Sequence, residues 1–86
     1  MSYLEELREK ISGELAARGM KLMPRGSTLR IIKEDSVLME LTDRGDFVEI
    51  NYKGRMYRYD KWYTKPKHLA DVILGQLSSG SSSERA

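Results

Sequence analysis

From Met20 to Tyr63 the chain alternates apolar and polar residues at period two. Three pairs ending in glycine, Arg25-Gly26, Arg44-Gly45 and Lys53-Gly54, interrupt the alternation. Alternation of this kind sets one side of a strand against a core, and glycine supplies the positive φ that tight hairpin turns require. The pattern predicts five strands in an antiparallel meander. With two-residue loops at the three glycine pairs and a three-residue loop at Glu34-Asp35-Ser36, every register is fixed. The rows Leu22, Leu29, Leu41, Val48, Tyr59 and Met20, Ile31, Met39, Ile50, Tyr57 then lie side by side on one apolar face. The other face carries Lys21, Arg30, Glu40, Glu49 and Arg58, in which Arg30 meets Glu40, Glu49 meets Arg58, and only the Glu40 to Glu49 neighbours repel.

Helical patterns flank this region. Ser2 and Glu5 have the spacing of a capping box, Leu4, Leu7, Ile11 and Leu15 recur at helical spacing, and Gly19 stands where a C-terminal cap belongs. Thr64 suits an N-cap and Pro66 a first helical turn, ahead of the stripe Leu69, Val72, Ile73 and Leu77, which predicts a second helix of about three turns. Gly13 and Gly75 each weaken their helix by roughly 1 kcal/mol relative to alanine. Five strands about 4.8 Å apart make a sheet about 19 Å wide, and two helices of about 10 Å diameter cover one face of it. The expected fold is a two-layer α+β domain in the order αβββββα, with both helices on the apolar face. It spans residues 1–77 as a single domain, and residues 78–86, SSGSSSERA, read as a disordered, Ser-rich tail.

A chain of 86 residues leaves little room for a large internal catalytic cavity. It has no cysteine and one histidine, His68, which excludes a disulfide framework, thiolate chemistry and the usual zinc-ligand sets, so neither a metal nor a cofactor is expected. Asp71 lies within helical reach of His68, yet no serine nucleophile with a base and no glycine-rich phosphate loop is present. Glu40 and Glu49, flanked by arginines, have the look of a surface ladder rather than an acid/base pair. The reading is of a protein that is not an enzyme. The charged start, MSYLEELREK, and the lack of a run of about 20 apolar residues argue for a cytoplasmic protein without a membrane span.

Function is narrowed by the segment of residues 51–68, NYKGRMYRYDKWYTKPKH. Six of its residues are basic and one is acidic, so it carries a formal +5, and the chain's net +2 leaves −3 for the remainder. Five of the seven aromatics lie there too. Positive charge that follows phosphates, together with rings that stack on bases, is what single-stranded nucleic acid requires of a surface. Alternation turns Tyr57 and Tyr59 into the core and sets Arg58 against Glu49. What remains is a basic corner: Lys53 and Arg55 at a hairpin tip, and Lys61, Trp62, Lys65, Lys67 and His68 around the start of the second helix, with Tyr63 adjoining. The expected role is a small binding module that contacts an anionic partner there, RNA or single-stranded DNA in the first place. The plainer reading is that Trp62 plugs the strand-to-helix corner and the lysines only solubilise the surface. A competing expectation is a protein partner or homodimer on the open sheet face, where the assumed registers gather Ile32, Leu38 and Met56 in one row with Phe47 close by. A small anionic ligand at the start of the second helix is a third.

Overall fold

The computed structural model describes residues 2–82. Its elements follow the expected order: α1 (Tyr3–Ala17), β1 (Lys21–Arg25), β2 (Thr28–Lys33), β3 (Ser36–Asp43), β4 (Phe47–Tyr52), β5 (Arg55–Asp60) and α2 (Pro66–Ser82). The five strands form one open antiparallel sheet in sequence order. α1 starts on the capping box: Ser2 Oγ accepts from the Glu5 amide at 3.2 Å, and the Glu5 carboxylate accepts from the Ser2 amide at 2.9 Å. The Ser2 amide bond is also the main reason the Glu5 carboxyl titrates lower than usual.

One core joins the layers. Leu4, Leu7, Ile11 and Leu15 of α1 and Leu69, Ala70, Ile73 and Leu77 of α2 close over Leu29, Ile31, Met39, Leu41, Val48 and Ile50 of the sheet. Each fully buried Leu or Ile contributes about 1.5 to 3 kcal/mol of transfer free energy. Tyr57 and Tyr59 are half-buried against this core, as the alternation requires. Two side-chain bonds to backbone carbonyls add to the closure: Arg18 Nη1 donates to Leu74 O at 3.2 Å, and Tyr52 Oη donates to Gln76 O at 3.3 Å.

Register departs from expectation in two hairpins, and by two residues each time. In β1–β2 the loop is Gly26-Ser27 rather than Arg25-Gly26, so Leu22 faces Ile31 and Pro24 faces Leu29. In β3–β4 the turn takes in Asp46 as well, with the Arg44 amide donating to Phe47 O at 2.9 Å, and Leu41 faces Ile50 instead of Val48. A shift of two keeps every side chain on its face, which is why the hydrophobic pattern alone does not exclude it. The shift also removes the one repulsive pair. Glu40 now stands opposite Asn51, while Glu49 stands opposite Thr42 and pairs with Arg44 Nη2 at 2.9 Å. The expected Arg30 to Glu40 and Glu49 to Arg58 positions are found, the former as a 2.7 Å bond.

The β2–β3 tip also differs. It is a two-residue loop, Glu34-Asp35, with Lys33 opposite Ser36, and a β-bulge between Ile31 and Ile32 absorbs the residue that a three-residue loop would have held. At the other end of the chain, α2 runs to Ser82, past the end of the apolar stripe at Leu77 and longer than three turns. Its helical backbone thus includes part of the expected tail, and residues 83–86 lie outside the described residues. Among the described residues no helix is long and apolar enough to cross a membrane.

Candidate nucleic-acid interface

The corner between β5 and α2 is built on Asp60, the last residue of the strand. Its carboxylate Oδ1 accepts from the amides of Trp62 at 2.7 Å and Tyr63 at 3.3 Å, the self-capping turn that aspartate favours. Its carbonyl accepts from the Thr64 amide at 2.8 Å, and the Lys61 amide donates to Asp46 O at 3.0 Å. The backbone of residues 61–64 is thereby held at each step. Thr64 does not cap α2 as expected. Helix α2 begins one residue later, with Leu69 N donating to Lys65 O at 2.9 Å, and Thr64 O instead accepts from Tyr3 Oη at 2.5 Å. That bond fastens the corner to the first turn of α1.

Side chains leave this turn in two directions. Lys61 turns inward, where its ammonium meets Asp43 Oδ1 at 2.6 Å and lies 5.6 Å from the centre of the Tyr3 ring. Burial pushes the Asp43 carboxyl up, but the bonds from Lys61 and the Gly45 amide, with the Lys61 charge, outweigh it and leave the group below its ordinary range. Burial, then the nearby Glu6 charge, pushes the Tyr3 phenol up to about 12. Trp62 and Tyr63 turn outward, 77% and 83% exposed. Trp62 does not plug the corner. Its one close cationic neighbour among the described residues is Lys65, whose ammonium is 5.7 Å from the ring centre.

The site residues expected from sequence thus fall into two groups. Trp62, Lys65, Lys67 and His68 are all exposed and share the corner, whereas Lys61 belongs to it in sequence but is neutralised by Asp43. Lys53 and Arg55 lie at the far end of β5, a six-residue strand that sets them about 17 Å or more from the corner. Lys53 there covers the Tyr52 ring at 5.4 Å. Asp60 and Asp71 accompany Lys65 and Lys67, so charge at the corner is mixed, and what distinguishes it is the pair of exposed rings. Tyr63, Asp60, Asp43 and Tyr3 were not among the expected binding residues. The one available signal was Asp60, since an aspartate just ahead of a polar or aromatic turn is an Asx-turn candidate.

The residues expected to form an interaction face do not make one row. Ile32 stands opposite Lys21 and Val37, Leu38 packs toward the core beside the bulge, Arg58 covers the Phe47 ring at 5.2 Å, and Met56 faces Asn51. Across the middle of that face runs the row Met23, Arg30, Glu40, Asn51, Met56, with an ion pair between two exposed methionines at opposite edges. Comparison with protein-family models, with curated proteins and with solved structures finds no match to this chain.

Proposed function

We propose that the protein is a small, non-catalytic module that binds single-stranded nucleic acid, RNA or DNA, at the corner formed by Trp62, Tyr63, Lys65, Lys67 and His68. The observation that carries this reading is the exposure of two adjacent aromatics on a backbone held by Asp60 and Tyr3. Exposing large rings has a solvation cost, and a turn fixed by this many hydrogen bonds presents them without the entropy loss of ordering on contact. Base stacking on such rings is worth about 1 to 3 kcal/mol per base. Lys65 and Lys67 add contacts to phosphates. Trp62 is the only tryptophan in the chain, so it reports directly. Titration with mixed single-stranded oligonucleotides at low salt is expected to quench its fluorescence saturably, and Tyr63→Ala should weaken binding at least fivefold. Absence of quenching, or affinity unaffected by both Tyr63→Ala and Lys65→Ala with Lys67→Ala, would sink the reading. The alternative, self-association through the open sheet face, is favoured only by the exposed Met23 and Met56. A sedimentation mass that rises with protein concentration and falls back in Met56→Lys would support it.

A further inference from the structure

At the end of the molecule away from the corner, strand pairing stops unevenly. β2 and β3 stay paired out to Lys33 and Ser36, whereas β3 and β4 part after Met39 and Tyr52. The bulge bends the β2–β3 tip, so Ser36 to Leu38 extend past the last partner on β4, and a groove of about 780 Å³ opens between this tip and the β4–β5 tip. Its apolar lining comes from Met20, Val37, Leu38, Met39, Tyr52 and Leu77. Met39 and Leu77 belong to the core and close the floor from beneath, so the apolar surface open to a ligand is that of half-buried Met20, Leu38 and Tyr52 and of Val37, 53% exposed at the rim. That volume lies within the range of about 300 to 1,000 Å³ common for small-molecule sites.

The charge around the groove is one-sided. Arg30 and Glu40 line it as a closed pair at 2.7 Å and cancel. Lys33 and Lys53 line it as well, and among the described residues neither has an ion-pair partner. Glu34 and Asp35 stand on the adjacent tip without lining it. An apolar floor beneath two cations fits an apolar chain with a negative head. The protein's own chain beyond Leu77, SSGSSSERA, offers one acid but no apolar residue larger than alanine.

We propose that this groove binds a single-chain anionic amphiphile, such as a medium-chain carboxylate, as a free monomer, with the chain on Val37, Leu38 and Tyr52 and the head between Lys33 and Lys53. The site is separate from the nucleic-acid corner and does not depend on it. The test uses dodecanoate below its micelle threshold, followed by calorimetry and by amide chemical shifts. Saturable one-to-one binding is expected, with shifts centred on Val37, Leu38 and Tyr52. Lys33→Gln with Lys53→Asn should weaken it at least tenfold; asparagine is chosen because Lys53 has a φ of 54° and asparagine accepts that conformation. Val37→Asp, at an exposed position, should weaken it to a similar degree. Dodecyltrimethylammonium, the same chain with the opposite charge, should not saturate the site. The proposal is overturned if dodecanoate does not saturate, or if neither variant changes its affinity. It is likewise overturned by binding seen only to anionic vesicles, or by a concentration-dependent dimer that protects Val37 and assigns the groove to a second copy.

Discussion

Lys61, Asp43 and Tyr3 meet where ionisable groups are drawn inward. The Lys61 to Asp43 pair is about one-fifth exposed on both sides, between the surface case, worth about 0 to 1 kcal/mol, and the buried case, where losing one partner costs about 3 to 5. Lys61→Met is therefore expected to cost about 1 to 2 kcal/mol at neutral pH. The sign with pH follows from the depressed Asp43 carboxyl. A group whose folded pKa is lowered adds stability above its unfolded value, about 3.9, and that stability is lost as pH falls through the folded pKa. Without Lys61, burial becomes the stronger influence and the carboxyl shifts up, so its contribution changes sign. The stability gap between wild type and Lys61→Met should accordingly shrink as the solution is acidified from pH 7 to about 3, measured by urea unfolding at each pH. Tyr3 acts at the other end of the scale. Its phenol, pushed up to about 12, supports folding below the unfolded value of about 10, and this support is lost as pH rises through the folded pKa. Subtracting the ultraviolet titration of Tyr3→Phe from that of the wild type should show a single phenol midpoint near 12. The same variant loses the bond to Thr64 O, which costs about 1 kcal/mol, and frees the corner from α1.

At the scale of elements, the β2–β3 tip carries an identifiable cost. Glu34 and Asp35 both adopt positive φ, 51° and 68°, where glycine and asparagine are the favoured residues and others lose about 1 kcal/mol or more each. Glu34→Asn with Asp35→Gly should stabilise the protein by about 1 to 2 kcal/mol, seen as a higher urea midpoint with an unchanged slope. The Lys53-Gly54 tip shows the converse, because there the glycine has a φ of +78° and Gly54→Ala should destabilise by about 1 kcal/mol. These two tips explain what could be read from the sequence and what could not. In Lys53-Gly54 the glycine occupies the second turn position, which demands positive φ, and the β4–β5 register follows from it directly. Glu34-Asp35 carries no such signal, so the sequence is equally compatible with a three-residue loop, and the bulge between Ile31 and Ile32 leaves no trace in an alternating pattern. Around Arg25-Gly26 and Arg44-Gly45 the glycine was visible but not its position within the turn. A slip of two residues leaves both faces intact, so burial identified the core correctly while leaving the cross-strand neighbours wrong.

The whole molecule places its basic residues differently from the sequence. Residues 51–68 look continuous, yet β5 runs the length of the sheet and carries Lys53 and Arg55 to one end and Lys65 and Lys67 to the other. Sequence proximity is not spatial proximity across a strand, and the pairing of Lys61 with Asp43, eighteen positions away, has no local signal at all. The exposure of Trp62 depended on whether Asp60 or the ring itself would fill the turn, and the carboxylate does so. This arrangement makes a quantitative prediction about binding. Each phosphate neutralised on a single strand contributes about −0.7 to the slope of log affinity against log salt concentration. If one strand contacted every base on the segment, six cations would give a slope near −4. With Lys61 neutralised, Arg58 held over the Phe47 ring on the open sheet face and the hairpin tip out of reach of a trinucleotide, Lys65 and Lys67 remain, and the slope for such a strand should be about −1.4. On the proposed function stacking would supply most of the affinity, so appreciable quenching of Trp62 should persist at salt concentrations that abolish purely electrostatic association. Lys65→Ala with Lys67→Ala should bring the slope close to zero, while Lys53→Asn should leave it unchanged. A steep slope in the wild type that Lys53→Asn reduces would mean that the strand runs along β5 to the far tip, and that stacking at the corner is the minor part of recognition.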